Sequence, residues 1–317
     1  MLDPRRLALL REVVHHGSFS GAAKALFLTQ PAVSRQVAKL EREAGVRLLE
    51  RTPSGLRLTD AGRVALERAD AIAGHLAAAE AELEAIASLG AGRLRLCAFP
   101  TAASTLVMEA IGVFGQRHPG VELSFVEAGT RAGVQRLRAG DVDLAIVFRE
   151  RGQPAPSSWD GLQAVHLLVD PLYAALAEDH PLAAKETVRL RDLRDEGFIQ
   201  AVQAGPTGIT YRACLAAGFE PRIAHLSDHA PITQGLVAAG LGVTLISNLS
   251  VPTSRTDLAI RPLKPAGPQR DVFALSLPGA LRPPAISAMV EILRELAARY
   301  EPSRRSAGVR PSAASAS

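Results

Sequence analysis

Apolar residues return every three or four positions through the first forty-four residues, and the breaks in that rhythm mark out helices. Asp3 and Pro4 open the first one, the aspartate as N-cap and the proline at the first helical position. Leu7, Leu10 and Val14 give it an apolar face, and Gly17 ends it. Ser18 or Ser20 is suited to cap a short alanine-rich helix, in which Ala22 and Ala23 let another helix cross closely. After Phe27 and Leu28 the chain turns, and Thr29 is placed to cap a third helix, QPAVSRQVAKLEREAG. Pro31 falls in its first turn, where a missing N–H costs little. Val33, Val37, Leu40 and Ala44 form its buried stripe. In VRLLERTPSGLRLT two apolar stretches flank Thr52-Pro53-Ser54-Gly55, which predicts a two-stranded wing.

Thr59 is suited to cap a fourth helix, running to about Ser88 before Gly90. Ala65, Ala69, Ile72, Leu76, Ala79, Leu83 and Ile86 are spaced alternately four and three apart, the rhythm of a coiled-coil seam. Such a rod is roughly 40 Å long. Its narrow seam needs a partner, and a second copy of the chain is favoured over the chain's own body, so residues 60–88 are expected to form a homodimer.

From Gly92 the rhythm alternates between periods of two and of three to four. Strands are expected at 94–99, 121–128, 142–148, 172–176, 198–202, 223–226, 243–247 and 271–277. Helices are expected at 102–117, 130–140, 211–217, 232–239 and 285–300. This predicts an α/β body with largely parallel sheets. The late strand and helix suggest two subdomains joined by crossing strands: I over 92–164 and 268–300, II over 165–267. The expected organisation is therefore a winged helix-turn-helix head (1–59), a linker helix (60–89), the body (90–300) and a disordered tail of low hydrophobicity (301–317).

Charge sharpens this division. Residues 1–65 carry 11 Lys/Arg against 6 Asp/Glu, whereas the rest carries 25 against 26. The positive excess sits wholly on the head, either as a solvated basic face or as the footprint of a nucleic acid. Aromatic residues are only 4% of the chain, so alanine, leucine and valine carry the packing. No apolar run is long enough for a membrane span, and charges interrupt the N-terminal stretch where a secretion signal would be apolar; a cytoplasmic location is expected. Cys97 and Cys214 fit no metal spacing and read as buried free thiols.

The third helix holds the candidate chemistry. Opposite its buried stripe lie Gln30, Pro31, Ser34 and Arg35, with Lys39 and Arg42 further along. Arginine pairs with guanine, glutamine with adenine and serine with either, and the N-terminal part of such a helix enters the major groove of double-stranded DNA. Lys39 and Arg42 suit phosphates, which position the protein without specifying sequence. Arg51 and Arg57 on the wing could reach a minor groove or a phosphate.

The head resembles that of the LysR-type transcriptional regulators. The resemblance rests on Gly17-Ser18-Phe19, Ala22-Ala23, Thr29 to Val37, Leu40-Glu41, Gly45-Val46, Leu48-Leu49, Glu50-Arg51 and Leu58 to Gly62, collinear and almost without gaps. Leu10 departs from it, since an aromatic is frequent there. The resemblance implies a DNA-binding set of Thr29, Gln30, Pro31, Ser34, Arg35, Lys39, Arg42, Arg51 and Arg57. It implies a dimer of dimers, a contact with RNA polymerase, and a body like type 2 periplasmic binding proteins with a small-molecule effector between its halves. Carried over by position, the effector residues are Thr101, Ala102, Ala103, Ser104, Thr130, Phe148, Gln200, Gln203 and Ser247.

The residues themselves support an anionic ligand near Thr101 to Ser104, where hydroxyls stand beside backbone N–H groups at the start of a helix. Simple helix capping explains Thr101 and Thr130 equally well. No catalytic constellation, cofactor motif or metal-ligand spacing is present: there is no HExxH, GxxxxGK[ST] or GxSxG. An α/β enzyme or a solute-binding protein with an accessory helix-turn-helix is the alternative reading.

Overall fold

The computed structural model describes residues 2–52, 55–87, 92–202, 205, 208–278 and 284–300. The expected tail, 301–317, lies outside them, as does Gln203. The head comprises α1 (Pro4–His15), α2 (Phe19–Ala25) and α3 (Gln30–Ala44), then the antiparallel wing of β1 (Leu49–Thr52) and β2 (Gly55–Leu58). Asp3 caps α1 by accepting from the Arg5 N–H at 2.9 Å, and Ser18 caps α2 by accepting from Gly21 at 3.0 Å. Leu10, Val13, Ala22, Val33 and Leu40 are completely buried in one core. The alanine at 22 is what lets α2 cross α3; a longer side chain there would be overpacked. Glu41 ties the wing to α3, its carboxylate accepting from Leu48 and Leu49 N–H at 2.8 and 3.1 Å.

The long helix α4 (Asp60–Ala87) starts at Thr59, whose hydroxyl accepts from Gly62 N–H at 2.9 Å. Its seam is not kept whole for another chain. Ala65, Ala69 and Ile72 pack into the core of the head, because α1 lies along this part of α4. The expectation of a partner chain along the whole seam is thereby corrected: Leu76 and Ala79 are exposed, while the side chains of Leu83 and Ile86 lie outside those described. Farther along, α4 leans on the body. Gly74 meets Arg138 so closely that an added Cβ would stand 2.7 Å from that carbonyl oxygen. Beside it, the Arg11 guanidinium donates to Ala139 O at 3.1 Å. Asp70 faces Arg11, Asp141 and Arg138; burial raises its pKa, and Arg11 offsets only part of that rise.

In the body, β3 (Arg93–Ala98) runs into α5 (Pro100–Ala102), a π turn (Ala103–Val107) and α6 (Met108–Arg117). Then come β4 (Glu122–Glu127), α7 (Thr130–Arg138), β5 (Leu144–Glu150) and the long β6 (Gln163–Ala177). The second half follows as β7 (Gly197–Gln200), α8 (Ile209–Ala216), β8 (Arg222–Leu226), α9 (Ala230–Ala238), β9 (Thr244–Ser247) and β10 (Leu258–Arg261). The chain returns through β11 (Gln269–Ser276) and closes on α10 (Pro284–Ala297). One sheet has the order β10-β6-β11-β5-β3-β4, with β9 also on β6; β7 and β8 pair separately.

Two expectations change here. The sheets are mixed: β3 is parallel to β4 and β5, and β7 to β8, but β5, β11, β6, β9 and β10 join antiparallel. The chain crosses between the halves once in each direction, and the two crossing strands lie side by side. The boundary expected at 164/165 falls inside β6. Residues 163–171 of that strand pair with β11, and from Leu172 onward it pairs with β9 and β10, so the partner changes at Pro171/Leu172. β10 had no counterpart in the sequence reading. Among the described residues no helix is long and apolar enough to cross a membrane.

Candidate functional site

The exposed face of α3 is set by what its opposite face buries. With Val33, Val37 and Leu40 in the core, Gln30, Pro31, Arg35, Lys39 and Arg42 are exposed and Ser34 is half-buried. Among the described residues Arg35, Lys39 and Arg42 have no ion-pair partner, so three cations line one side of one helix without local neutralisation. Gln36, by contrast, is engaged by Arg6 Nε at 3.0 Å, and Arg6 also holds Glu43 at 2.5 Å. Thr29 occupies the N-cap position with extended backbone, but its side chain makes no capping bond. On the wing, Glu50 and Arg57 are cross-strand neighbours and form an ion pair at 2.6 Å. Arg57 must exchange that partner to reach a phosphate. Arg51 lies in β1, and its side chain is outside those described.

Phe27 was not singled out from the sequence. It is 97% exposed, immediately before α3, with φ of +55°. A bulky L-residue there carries a backbone cost of about 1–2 kcal/mol. The turn imposes it: Phe27 N–H donates to Lys24 O and Leu28 N–H to Ala23 O. The available signal was an aromatic next to the turn of a helix-turn-helix.

In the body, Arg270 organises the candidate cleft. Its guanidinium bonds Asp170, with Nε at 3.1 Å, and donates to Thr101 Oγ1 at 3.0 Å. It also lies over two rings, 4.5 Å from the centroid of Phe148 and 5.1 Å from that of Phe99. Asp170 accepts in addition from Leu249 N–H at 3.1 Å. Thr130 joins this group, its hydroxyl accepting from Phe148 N–H at 3.2 Å. Thr101, Thr130 and Phe148 are thus brought together. Arg270 and Asp170 were missed, although charges inside the apolar runs QRDVFAL and HLLVDPLYAAL were a readable signal.

Several expectations for the cleft are corrected. Ala102 and Ala103 are core residues, fully or almost fully buried, and their N–H groups are satisfied by Phe99 O at 3.1 and 2.9 Å. They do not offer free donors to an anion. Ser104 is exposed and donates to Thr101 O at 3.3 Å. Thr130 does not cap α7; it is the first helical residue, and Gly129 is the cap. On the second half, Gln200 is buried, with Nε2 donating to Gly205 O at 2.7 Å and Oε1 left without a partner among the described residues. Ser247 is buried against Ser250 at 3.0 Å. Neither is bonded to the Arg270 group in this structure.

The profile of the bacterial regulatory helix-turn-helix proteins of the lysR family matches residues 4–63, and that of the LysR substrate binding domain matches residues 87–298. The probable HTH-type transcriptional regulator LrrA of Synechococcus elongatus is 30% identical over 292 residues, 92% of this chain and 96% of its own. The HTH-type transcriptional regulator CbbR of Rhodospirillum rubrum is 30% identical over 297 residues, with the same two coverages. Full-length CbnR, solved with its target DNA, shares the fold at a TM-score of 0.59 and 24% identity, over 93% of this chain and all of that one. A winged helix-turn-helix joined by a long helix to a two-part α/β domain defines a DNA-binding transcription regulator. This chain belongs to the LysR-type family, whose relatives are regulators and not enzymes.

Proposed function

We propose that this regulator reads its operator through Gln30, Ser34 and Arg35 in the major groove, while Lys39, Arg42, Arg51 and Arg57 hold phosphates. The observation that carries this reading is the row of unneutralised cations on α3 opposite a fully buried stripe. Phe27 joins the reading face: an exposed ring beside the groove suits a thymine methyl or a sugar. The chain works in the cytoplasm as a homodimer through the part of α4 that carries the exposed Leu76 and Ala79, and as a dimer of dimers that touches RNA polymerase. Two heads then match a two-fold symmetric site.

A small carboxylate-bearing effector binds between the halves of the body, near Thr101, Ser104, Thr130, Phe148, Gln200, Gln203 and Ser247. The buried acceptor of Gln200, without a partner among the described residues, favours a ligand that also carries a donor, such as a hydroxyl or an amine. Binding acts on the heads only through different affinities for two arrangements of the halves. A thermal-shift screen of hydroxy- and amino-carboxylates on the full chain tests this. A hit should stabilise the protein and lose its effect in Gln200→Leu. A hit unaffected by Gln200→Leu would refute the cleft assignment.

A further inference from the structure

A cavity of about 1210 Å³ lies apart from the Arg270 group, and none of Thr101, Thr130, Phe148, Gln200 or Ser247 lines it. Its walls come from both halves of the body. Glu150 at the end of β5 stands for the first; the second supplies α8, the segment around residues 185–192 and the loop leading into β11. Five cationic side chains line it against two carboxylates. Lys185 approaches Asp192 only to 4.0 Å, while Arg212 pairs closely with Glu150, Nε to Oε2 being 2.8 Å. That leaves Arg189, Arg191 and Lys264, all exposed, with no ion-pair partner among the described residues.

We infer that this cavity is a second ligand site, for a small polyanion carrying at least two carboxylate or phosphate groups. Like charges gathered in a concave wall reinforce one another's potential, which an anion relieves. Arginine forks suit carboxylate and phosphate oxygens equally. Leu263, Pro265 and Pro268 give the organic part of the ligand an apolar floor. The ligand's position also gives it leverage. Arg212 and Glu150 bridge the two halves, and an anionic group beside Arg212 competes with Glu150 for it. A polyanion therefore changes the strength of a contact between the halves without entering the cleft of the first effector.

The test uses the full chain, with inorganic pyrophosphate and citrate as probes in calorimetric titrations at constant ionic strength. At least one probe should bind to the wild type below about 10 mM. The triple variant Arg189→Gln, Arg191→Gln, Lys264→Gln should weaken that binding about tenfold or more, whereas Thr101→Val should leave it unchanged. The three substituted side chains are exposed, so the variant keeps its fold. Unchanged affinity in the triple variant, or no binding of either probe, would overturn the proposal. Loss of binding in Thr101→Val alone would move the anion to the Arg270 group and overturn it equally.

Discussion

Arg270 and Asp170 face each other in register on the two strands that join the halves of the body, and they bond side chain to side chain with at least nine-tenths of each buried. A buried pair of this kind is costly to split, because the survivor keeps its charge without a partner. Asp170→Ala should destabilise the body by about 3–5 kcal/mol. Replacing both residues, Asp170→Leu with Arg270→Met, should recover much of that. Urea titration followed by the fluorescence of Trp159, the sole tryptophan and a buried one, measures both. If the double variant is no more stable than the single one, the loss does not come from the uncompensated guanidinium.

Arg35→Ala should weaken operator binding by about 1–3 kcal/mol and relax preference at one base pair. Lys39→Ala should weaken binding to all sequences alike and lower the salt slope by about one. Fluorescence anisotropy at several salt concentrations separates the two behaviours. Equal losses on operator and random DNA for both variants would remove Arg35 from base reading.

Phe27→Gly should move stability and binding in opposite directions. Glycine accepts the φ of +55° at no steric cost, so the head should gain up to about 1 kcal/mol. Operator affinity should fall, because the exposed ring is gone. A variant both more stable and equally tight on DNA would show that Phe27 touches nothing.

Gly62→Ala should break the joint between wing and linker helix. An added Cβ would stand 2.0 Å from Leu48 O, a backbone atom that accepts the Thr59 N–H. Relieving that overlap shifts the wing against α4, at a cost of about 3 kcal/mol. A melting temperature within a degree or so of wild type would contradict this.

Cys97 and Cys214 should be poor redox sensors. Both are buried, and burial pushes their thiols up to about 11 and about 12 from an ordinary 9.0. The thiolate is the reactive form, so neither should react with Ellman's reagent or with dilute peroxide at neutral pH in the folded protein. The raised values also set a pH dependence. Between pH 9 and about 11–12 the folded chain holds protons that the unfolded chain has released, so this contribution to stability is full below 9 and is lost as pH rises through that window. Rapid labelling of the native protein at pH 7 would reverse the conclusion.

The head was legible almost residue by residue. Its signals are local: Asp3 and Ser18 as caps, the stripe of Val33, Val37 and Leu40, the turn between β1 and β2. Each depends on neighbours within a few positions. The body was legible as a succession of elements, but β10 and the antiparallel joining of its sheet were not. Strand direction follows from where the chain crosses, and an apolar run such as LLVDPLYAALA reads the same whichever neighbours it pairs with.

The candidate cleft shows the same limit. Thr101, Thr130 and Phe148 could be placed at strand and helix ends. Arg270 could not be placed beside them, because it is 169 residues from Thr101 in the chain and meets it only because β11 pairs with β5 and β5 with β3, the strand that leads to Thr101. The sequence by itself determined the helix-turn-helix and the exposed row of Gln30, Arg35, Lys39 and Arg42, since periodicity and capping are properties of neighbouring residues, and its collinear motifs carried the family resemblance. Only the tertiary structure decided that α4 spends Ala65, Ala69 and Ile72 on its own head, that Ala102 and Ala103 are core, and that Arg270 pairs with Asp170 across the strands that join the halves. Burial and pairing at long range are settled by which surfaces meet, and many pairings satisfy the same local pattern.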